Sequence, residues 1–188
     1  MTLRLAVLAS GTGSLLEAMI EQSLPIELVL VDRSCRAFDI ARRANLSCVH
    51  QDRTFRKKDV TGREAYTRRT IAILKEHRID LVAMAGFMTV FSPCMFEPDA
   101  FRMRILNTHP SLLPSFTGDN AVQDALDYGV KVSGFTIHWA TADLDAGPIM
   151  TQESVKVLPG DTRESLHGRI KEGERALYPA LLAELIRG

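Results

Sequence analysis

The stretch Leu3-Arg4-Leu5-Ala6-Val7-Leu8-Ala9-Ser10-Gly11-Thr12-Gly13-Ser14 decides the fold. Residues 3–9 form a β-type apolar run, and residues 14–22 carry apolar side chains at helical spacing. A buried strand that passes through a glycine turn into a helix is the opening unit of a layered α/β sheet. The pattern then recurs. Residues 26–31 read as a second strand, 36–44 as a helix and 48–50 as a short third strand. A long amphipathic helix is expected over 62–77, with Ile71, Ala72 and Leu74 inward, and a buried strand over 80–85. Strands that are apolar throughout must be covered on both faces, which is the mark of a parallel sheet.

The second half continues the alternation. Residues 104–108 read as a short strand ending in polar residues, and 119–128 as a helix stopped by Gly129. Residues 130–139 alternate like a half-exposed strand, and 149–157 form another. Asp161 is the expected cap of a last helix running to about residue 186, with a possible break at Pro179. No repeat, linker or boundary divides the chain. The expected architecture is one α/β domain, residues 1–188, Rossmann-like, with a mostly parallel sheet and helices on both faces.

Composition narrows the classes of function. Lys and Arg number 23 and so do Asp and Glu, so the chain lacks the positive field expected of a nucleic-acid binder. Arg53, Arg56, Lys57 and Lys58 cluster, but Asp52 and Asp59 flank them, and a solvated loop accounts for them. Cys35, Cys48 and Cys94 form no CxxC pair and are odd in number, so neither a metal knuckle nor a disulfide framework is indicated. A reducing cytoplasm fits such cysteines. The N-terminal run is too short for a signal peptide, and no run reaches the ~20 apolar residues that span a bilayer. No metal and no membrane or nucleic-acid partner is expected, and the chain would act as a monomer or homodimer.

The turn at residues 10–14 has its own chemistry. Glycines allow close backbone approach, and the N–H groups at a helix start attract an anion. A phosphate at this turn, where Ser14 adds a hydroxyl at the helix start, is the leading reading, beside that of a tight turn with no ligand. Gly11-x-Gly13 with Asp32 also suggests a nicotinamide-dinucleotide oxidoreductase. The third glycine of that fingerprint would fall at Leu16, where a branched side chain crowds a pyrophosphate but leaves room for a single phosphate.

The most informative polar cluster is Asn107-Thr108-His109-Pro110-Ser111-Leu112-Leu113-Pro114. Two residues apart on a strand, Asn107 and His109 share one face. A carboxamide beside an imidazole at the carboxyl end of a strand can hold and protonate an oxyanion. The same residues also fit a satisfied core histidine beside a turn former. Downstream, Asp143 and Asp145 lie in a Gly147-Pro148 turn. Either they simply shape that turn or one of them faces His109, and spacing does not decide which.

Asn107-x-His109-Pro110-Ser111-Leu112-Leu113-Pro114 followed by Asp145-x-Gly147-Pro148 resembles the signature of the folate-dependent formyltransferases. Further matching segments are the 10–14 turn, Arg63-Glu64-Ala65-Tyr66, Ala85-Gly86-Phe87-Met88, Lys171, and Glu174 with Tyr178-Pro179. The resemblance covers nearly the whole chain and points to the glycinamide branch of the family. It implies formyl transfer from 10-formyltetrahydrofolate to the amine of 5-phosphoribosyl glycinamide, a step of purine synthesis.

By the same resemblance, Asn107, His109 and Asp145 are catalytic. Asn107 and protonated His109 would stabilise the oxyanion, and Asp145 would orient the ring and favour its protonated form. Gly13, Ser14 and Leu15 would hold the phosphate by main-chain N–H groups, aided by Lys171, while Glu174 would take the ribose hydroxyls. Met88, Thr89, Val90, Phe91 and Asn107 would line the folate, with Phe87 and Ile105 as apolar walls and Arg63 near its glutamate tail. The chain departs from the family at Leu15, where asparagine is frequent, and at Thr89, where arginine is common. Asn120 stands where some members have histidine.

Within the same superfamily a sugar-nucleotide N-formyltransferase is the nearest rival, since it shares the Asn-x-His and Asp core. A methionyl-tRNA formyltransferase would need an added RNA-binding domain, and a formyltetrahydrofolate hydrolase an added N-terminal one.

Overall fold

The computed structural model of the protein describes residues 3–56 and 58–188. Met1, Thr2 and Lys57, which the sequence places before the first strand and in the basic loop, lie outside the described residues.

Among the described residues, seven strands form one sheet: β1 (Leu5–Ala9), β2 (Ile26–Val31), β3 (Cys48–His50), β4 (Leu81–Met84), β5 (Ile105–His109), β6 (Val132–Trp139) and β7 (Ile149–Lys156). The helices that connect or flank them are α1 (Ser14–Glu21), α2 (Arg36–Arg43), α3 (Val60–Glu76), α4 (Ala121–Tyr128) and α5 (Arg163–Arg187). The strand order is β3-β2-β1-β4-β5-β6-β7. Pairing is parallel from β3 through β5 and antiparallel for β5–β6 and β6–β7.

Alternation along β1 explains the layering. Leu5, Val7 and Ala9 pack with Leu16 and Met19 of α1, Ile40 of α2 and Ile170, Tyr178 and Leu182 of α5. Ala6 and Leu8 face the opposite way, toward Tyr66 and Leu74 of α3 and toward Phe87, Phe91 and Met95. The chain leaves β1 toward β2 and β3, then returns to the other side of β1 as β4. The carboxyl ends of β1 and β4 therefore form a topological switch point, where open α/β sheets bind ligands.

Several details differ from expectation. β6 is not half-exposed, because β5 and β7 enclose it and residues 133–138 are all buried. Its polar residues are absorbed by neighbours: the Thr136 hydroxyl donates to the Ser111 carbonyl and accepts the Leu113 N–H. α3 begins earlier than 62, because the Asp59 side chain accepts the Gly62 N–H at 2.9 Å. Its buried face uses Tyr66, Thr67, Thr70 and Leu74, whereas Ala72 is exposed. Thr67 and Thr70 fit inside because their hydroxyls bond the carbonyls one turn back.

α4 starts at Ala121 rather than 119 and ends on Gly129, whose φ of 83° suits the left-handed C-cap. A 3-10 turn over Pro93–Phe96 was not foreseen. α5 is capped by Thr162, in a capping box with Ser165, and not by Asp161. Asp161 lies one residue outside, where it accepts the Leu158 N–H and pairs with Arg169. Nor does Pro179 break α5, which runs 25 residues. Its buried stripe of Leu166, Ile170, Glu174, Tyr178, Leu182 and Ile186 continues at four-residue spacing on both sides of the proline. Packing along that stripe offsets the ~3 kcal/mol cost of an interior proline. Among the described residues, no helix is long and apolar enough to cross a membrane.

Gly13 joins β1 to α1 at φ 74°. An added Cβ there would lie 2.6 Å from Ile40 Cδ1 and 2.9 Å from Ala37 Cα. Gly13→Ala should therefore lower the urea midpoint by the equivalent of about 2 kcal/mol or more, combining a left-handed alanine with the clash. An unchanged midpoint would show that the turn tolerates a side chain.

Candidate active site

A cavity of about 460 Å³ opens at the switch point. Its walls come from the 10–15 turn, residues 84–91, the end of β5, the loop after β6 and one face of α5.

The first wall follows from the glycine turn. Gly13 is the N-cap of α1 and supplies no side-chain cap, so the N–H groups of the first helical turn keep no side-chain partner. An anion can satisfy them. Arg36 braces the turn from behind, donating to the Thr12 carbonyl at 3.1 Å. Across the cavity, Arg163, His167, Lys171 and Glu174 of α5 all line it. Their spacing of four, four and three residues puts them on one helical face. Burial together with the nearby Lys171 and Arg163 holds His167 below the usual histidine value.

Glu174 is buried and accepts the Thr108 hydroxyl at 2.8 Å. Removal from water pushes its carboxyl up to about 6, against the opposing effects of Thr108 and Lys171.

The second wall is the segment after β4. The Met88 N–H donates to Ser10 Oγ at 2.8 Å, and the Ser10 N–H donates to the Gly86 carbonyl at 3.2 Å. One serine thus fastens the 86–91 segment to the glycine turn. The Thr89 hydroxyl turns inward and donates to Asp32 at 2.7 Å. Met88 and Val90 point out, 49% and 41% exposed, offering apolar surface at the cavity.

Between these walls sit the polar residues singled out in the sequence. The His109 ring is buried, and its Nε2 lies 2.8 Å from the Phe116 carbonyl. A carbonyl only accepts, so Nε2 carries hydrogen and Nδ1 is the nitrogen left for other work. Asp145 Oδ2 stands 3.5 Å from Nδ1 and also accepts the Gly118 N–H at 2.9 Å. Asn107 lines the cavity beside His109, and its Nδ2 lies 3.2 Å from His138 Nε2.

The cavity brings together twelve of the sequence-derived residues: Gly13, Ser14, Leu15, Met88, Thr89, Val90, Phe91, Asn107, His109, Asp145, Lys171 and Glu174. Arg63 is not among its lining residues; it lies in the first turns of α3. Sequence reading missed Thr108, His138, Arg163, His167 and residues 140–142 of the loop after β6. The four-residue spacing of Arg163, His167 and Lys171 was available as a signal. His138 was not, because only strand register brings it to Asn107.

The nicotinamide reading loses its support here. Leu16 is fully buried in the core, and Asp32, itself buried, is committed to Thr89 and Arg33. Among the described residues no group of three or more His, Cys, Asp or Glu is placed to hold a metal ion.

Residues 3–182 match the family model described as formyl transferase. The chain belongs to the formyl transferase family. A phosphoribosylglycinamide formyltransferase of Mycobacterium tuberculosis is 46% identical over 97% of this chain and 84% of its own length. The human trifunctional purine biosynthetic protein adenosine-3 is 38% identical over 98% of this chain, which spans 18% of that larger protein. Among solved formyl transferase structures, a glycinamide ribonucleotide transformylase of Geobacillus kaustophilus superposes with a TM-score of 0.88 at 32% identity, covering 99% of this chain and 100% of that one. A phosphoribosylglycinamide formyltransferase of Bacillus halodurans gives 0.87 at 36% identity, covering 97% and 94%.

Glu174 makes the formyl transferase site a stability sensor. Its carboxyl is raised in the fold, so the stability it favours is present below about 4.5 and is lost as pH rises through about 6. Glu174→Gln should therefore stabilise the protein by about 2 kcal/mol at pH 8 and leave it unchanged at pH 4. Denaturation midpoints at the two pH values check this, and a pH-independent difference would contradict it.

Proposed function

We propose that the chain transfers the formyl group of 10-formyltetrahydrofolate to the amine of 5-phosphoribosyl glycinamide, giving the formylated glycinamide and tetrahydrofolate in purine (IMP) biosynthesis. One observation carries the reading: a single cavity joins an anion cradle at residues 11–15 to an apolar wall at 88–91, with Asn107, His109 and Asp145 between them. A cytoplasmic location suits small-molecule substrates of this class.

The phosphate sits on the N–H groups of Gly13, Ser14 and Leu15, with Lys171 adding charge. Leucine at 15 removes no main-chain donor. Glu174 receives the ribose hydroxyls. The folate lies along Met88, Val90 and Phe91, and Thr89 contributes through its backbone because its hydroxyl is engaged. Arg63, outside the cavity lining, is assigned to the glutamate tail of the folate beyond the cavity.

As the amine adds to the formyl carbon, negative charge gathers on the formyl oxygen. The Asn107 carboxamide donates to that oxygen, where a positioned donor acts most strongly. His109 Nδ1 gives and takes the proton, since Nε2 is held by the Phe116 carbonyl. Asp145 stands beside Nδ1 and pairs with the ring when it is protonated. The proton lost by the attacking amine reaches the departing folate nitrogen through His109 or a bound water, so no covalent enzyme intermediate is required.

Purified protein mixed with a formyl-folate analogue and glycinamide ribonucleotide should release deformylated folate, followed by absorbance. His109→Ala should slow turnover ~10²-fold or more, the usual size of a general-acid effect. Wild-type rates in that variant would remove His109 from the chemistry. Binding of both substrates without turnover in the wild type would end the proposal.

A further inference from the structure

Asn107 and His138 are direct cross-strand partners in the antiparallel β5–β6 pair. Opposed side chains leave the same face of a sheet, so register alone sets the imidazole beside the carboxamide. His138 is 2% exposed, and both of its ring nitrogens have neighbours. Nδ1 lies 3.1 Å from the Trp139 carbonyl. That oxygen can only accept, so Nδ1 holds the hydrogen. Nε2 then presents a lone pair, and the group 3.2 Å from it is Asn107 Nδ2, a donor.

The other charged groups facing the ring are Asp145, with Oδ1 at 3.9 Å, and His109. Asp145 and the Trp139 carbonyl favour a protonated ring, while His109 and above all burial oppose it. The balance lies below the usual histidine value, so the ring stays neutral near pH 7.

This matters because a carboxamide is nearly symmetric in shape. Turning it by half a rotation exchanges a donor for an acceptor at little steric cost. An Asn107 turned the wrong way would present its oxygen to the developing oxyanion. We propose that His138 is a positioning residue that locks the Asn107 carboxamide in its donor orientation, accepting one Nδ2 hydrogen at Nε2 and leaving the second to the formyl oxygen. The proposal rests on the reading of Asn107 as the donor to that oxygen. A hydrogen on Nε2 would reverse the preference and turn the amide oxygen toward His138.

The test is a double-mutant cycle on the full chain, with kcat and KM measured for both substrates in Asn107→Ala, His138→Leu, the double variant and His138→Gln. Leucine has about the right bulk and no acceptor, whereas the glutamine oxygen can still accept from Asn107. His138→Leu should lower kcat by roughly 10- to 100-fold, part of the effect of losing a whole oxyanion donor. KM for each substrate should stay within about twofold, and His138→Gln should recover most of the loss. Added to Asn107→Ala, His138→Leu should cost less than about twofold more, because both changes remove one function.

Normal kcat in Asn107→Ala would overturn the reading of Asn107 itself. A large loss in Asn107→Ala with normal kcat in His138→Leu, or with losses that multiply in the double variant, would overturn the positioning role alone. Nitrogen NMR of the wild-type imidazole provides a readout that no folding defect can confuse. Hydrogen on Nδ1 with a bare Nε2 at pH 7 to 8 is expected, and hydrogen on Nε2 would overturn the proposal.

Discussion

Antiparallel pairing of β6 against β5 is the constraint on which the site depends. β5 completes a parallel sheet on one side, which brings its carboxyl end level with the glycine turn and the 86–91 segment. On its other side β6 runs backward, setting His138 opposite Asn107 and Thr136 opposite His109. A slip of one residue would turn each of these side chains to the other face. The register is pinned by hydrogen bonds as well as by packing. Thr136 bonds Ser111 and Leu113, and Gln152 of β7 reaches both Thr136 and the Leu113 carbonyl. Gly134 leaves no room for a side chain against the Glu153 carbonyl, so β6 and β7 close tightly there.

The third polar group reaches the pair from a loop, and its delivery is equally determined. Asp145 has a φ of 55°, a left-handed conformation that aspartate tolerates better than most residues. Two residues on, Gly147 lies so close to the Trp139 carbonyl that a Cβ would collide with it. The Trp139 N–H donates to the Pro148 carbonyl and ties the loop end back to β6. The Gly118 N–H then fixes one carboxylate oxygen. The loop is held by backbone contacts, so the aspartate arrives beside His109 with its side chain 4% exposed.

The parallel half of the fold was legible in the sequence because its central strands β1 and β4 are unbroken apolar runs and β2 is interrupted only by Glu27. Turns bound all three, and the observed elements fall within or close to the expected ranges. Asn107 and His109 were legible as a pair because strand geometry fixes the relation of residues two apart. The antiparallel half was harder. Thr136 and His138 alternate with Phe135, Ile137 and Trp139 and so mimic a solvent-facing edge, yet both are buried. On α3, Thr67 and Thr70 occupy the buried face through bonds to their own helix, which shifts the inner face away from Ala72. Pro179 misled for the opposite reason: local cost was visible, but the long packed stripe that outweighs it was not. His138 lay beyond any reading of local spacing, since its relation to Asn107 spans 31 positions and exists only through register.

Ser10, the first residue of the glycine turn, grips the 86–91 segment twice, donating its N–H to the Gly86 carbonyl and accepting the Met88 N–H with its hydroxyl. The seats proposed for the two substrates therefore share a rivet. A substitution that reshapes the pterin seat will be transmitted to the phosphoryl seat a few bonds away. The two specificities of such an enzyme cannot drift independently while that serine joins them.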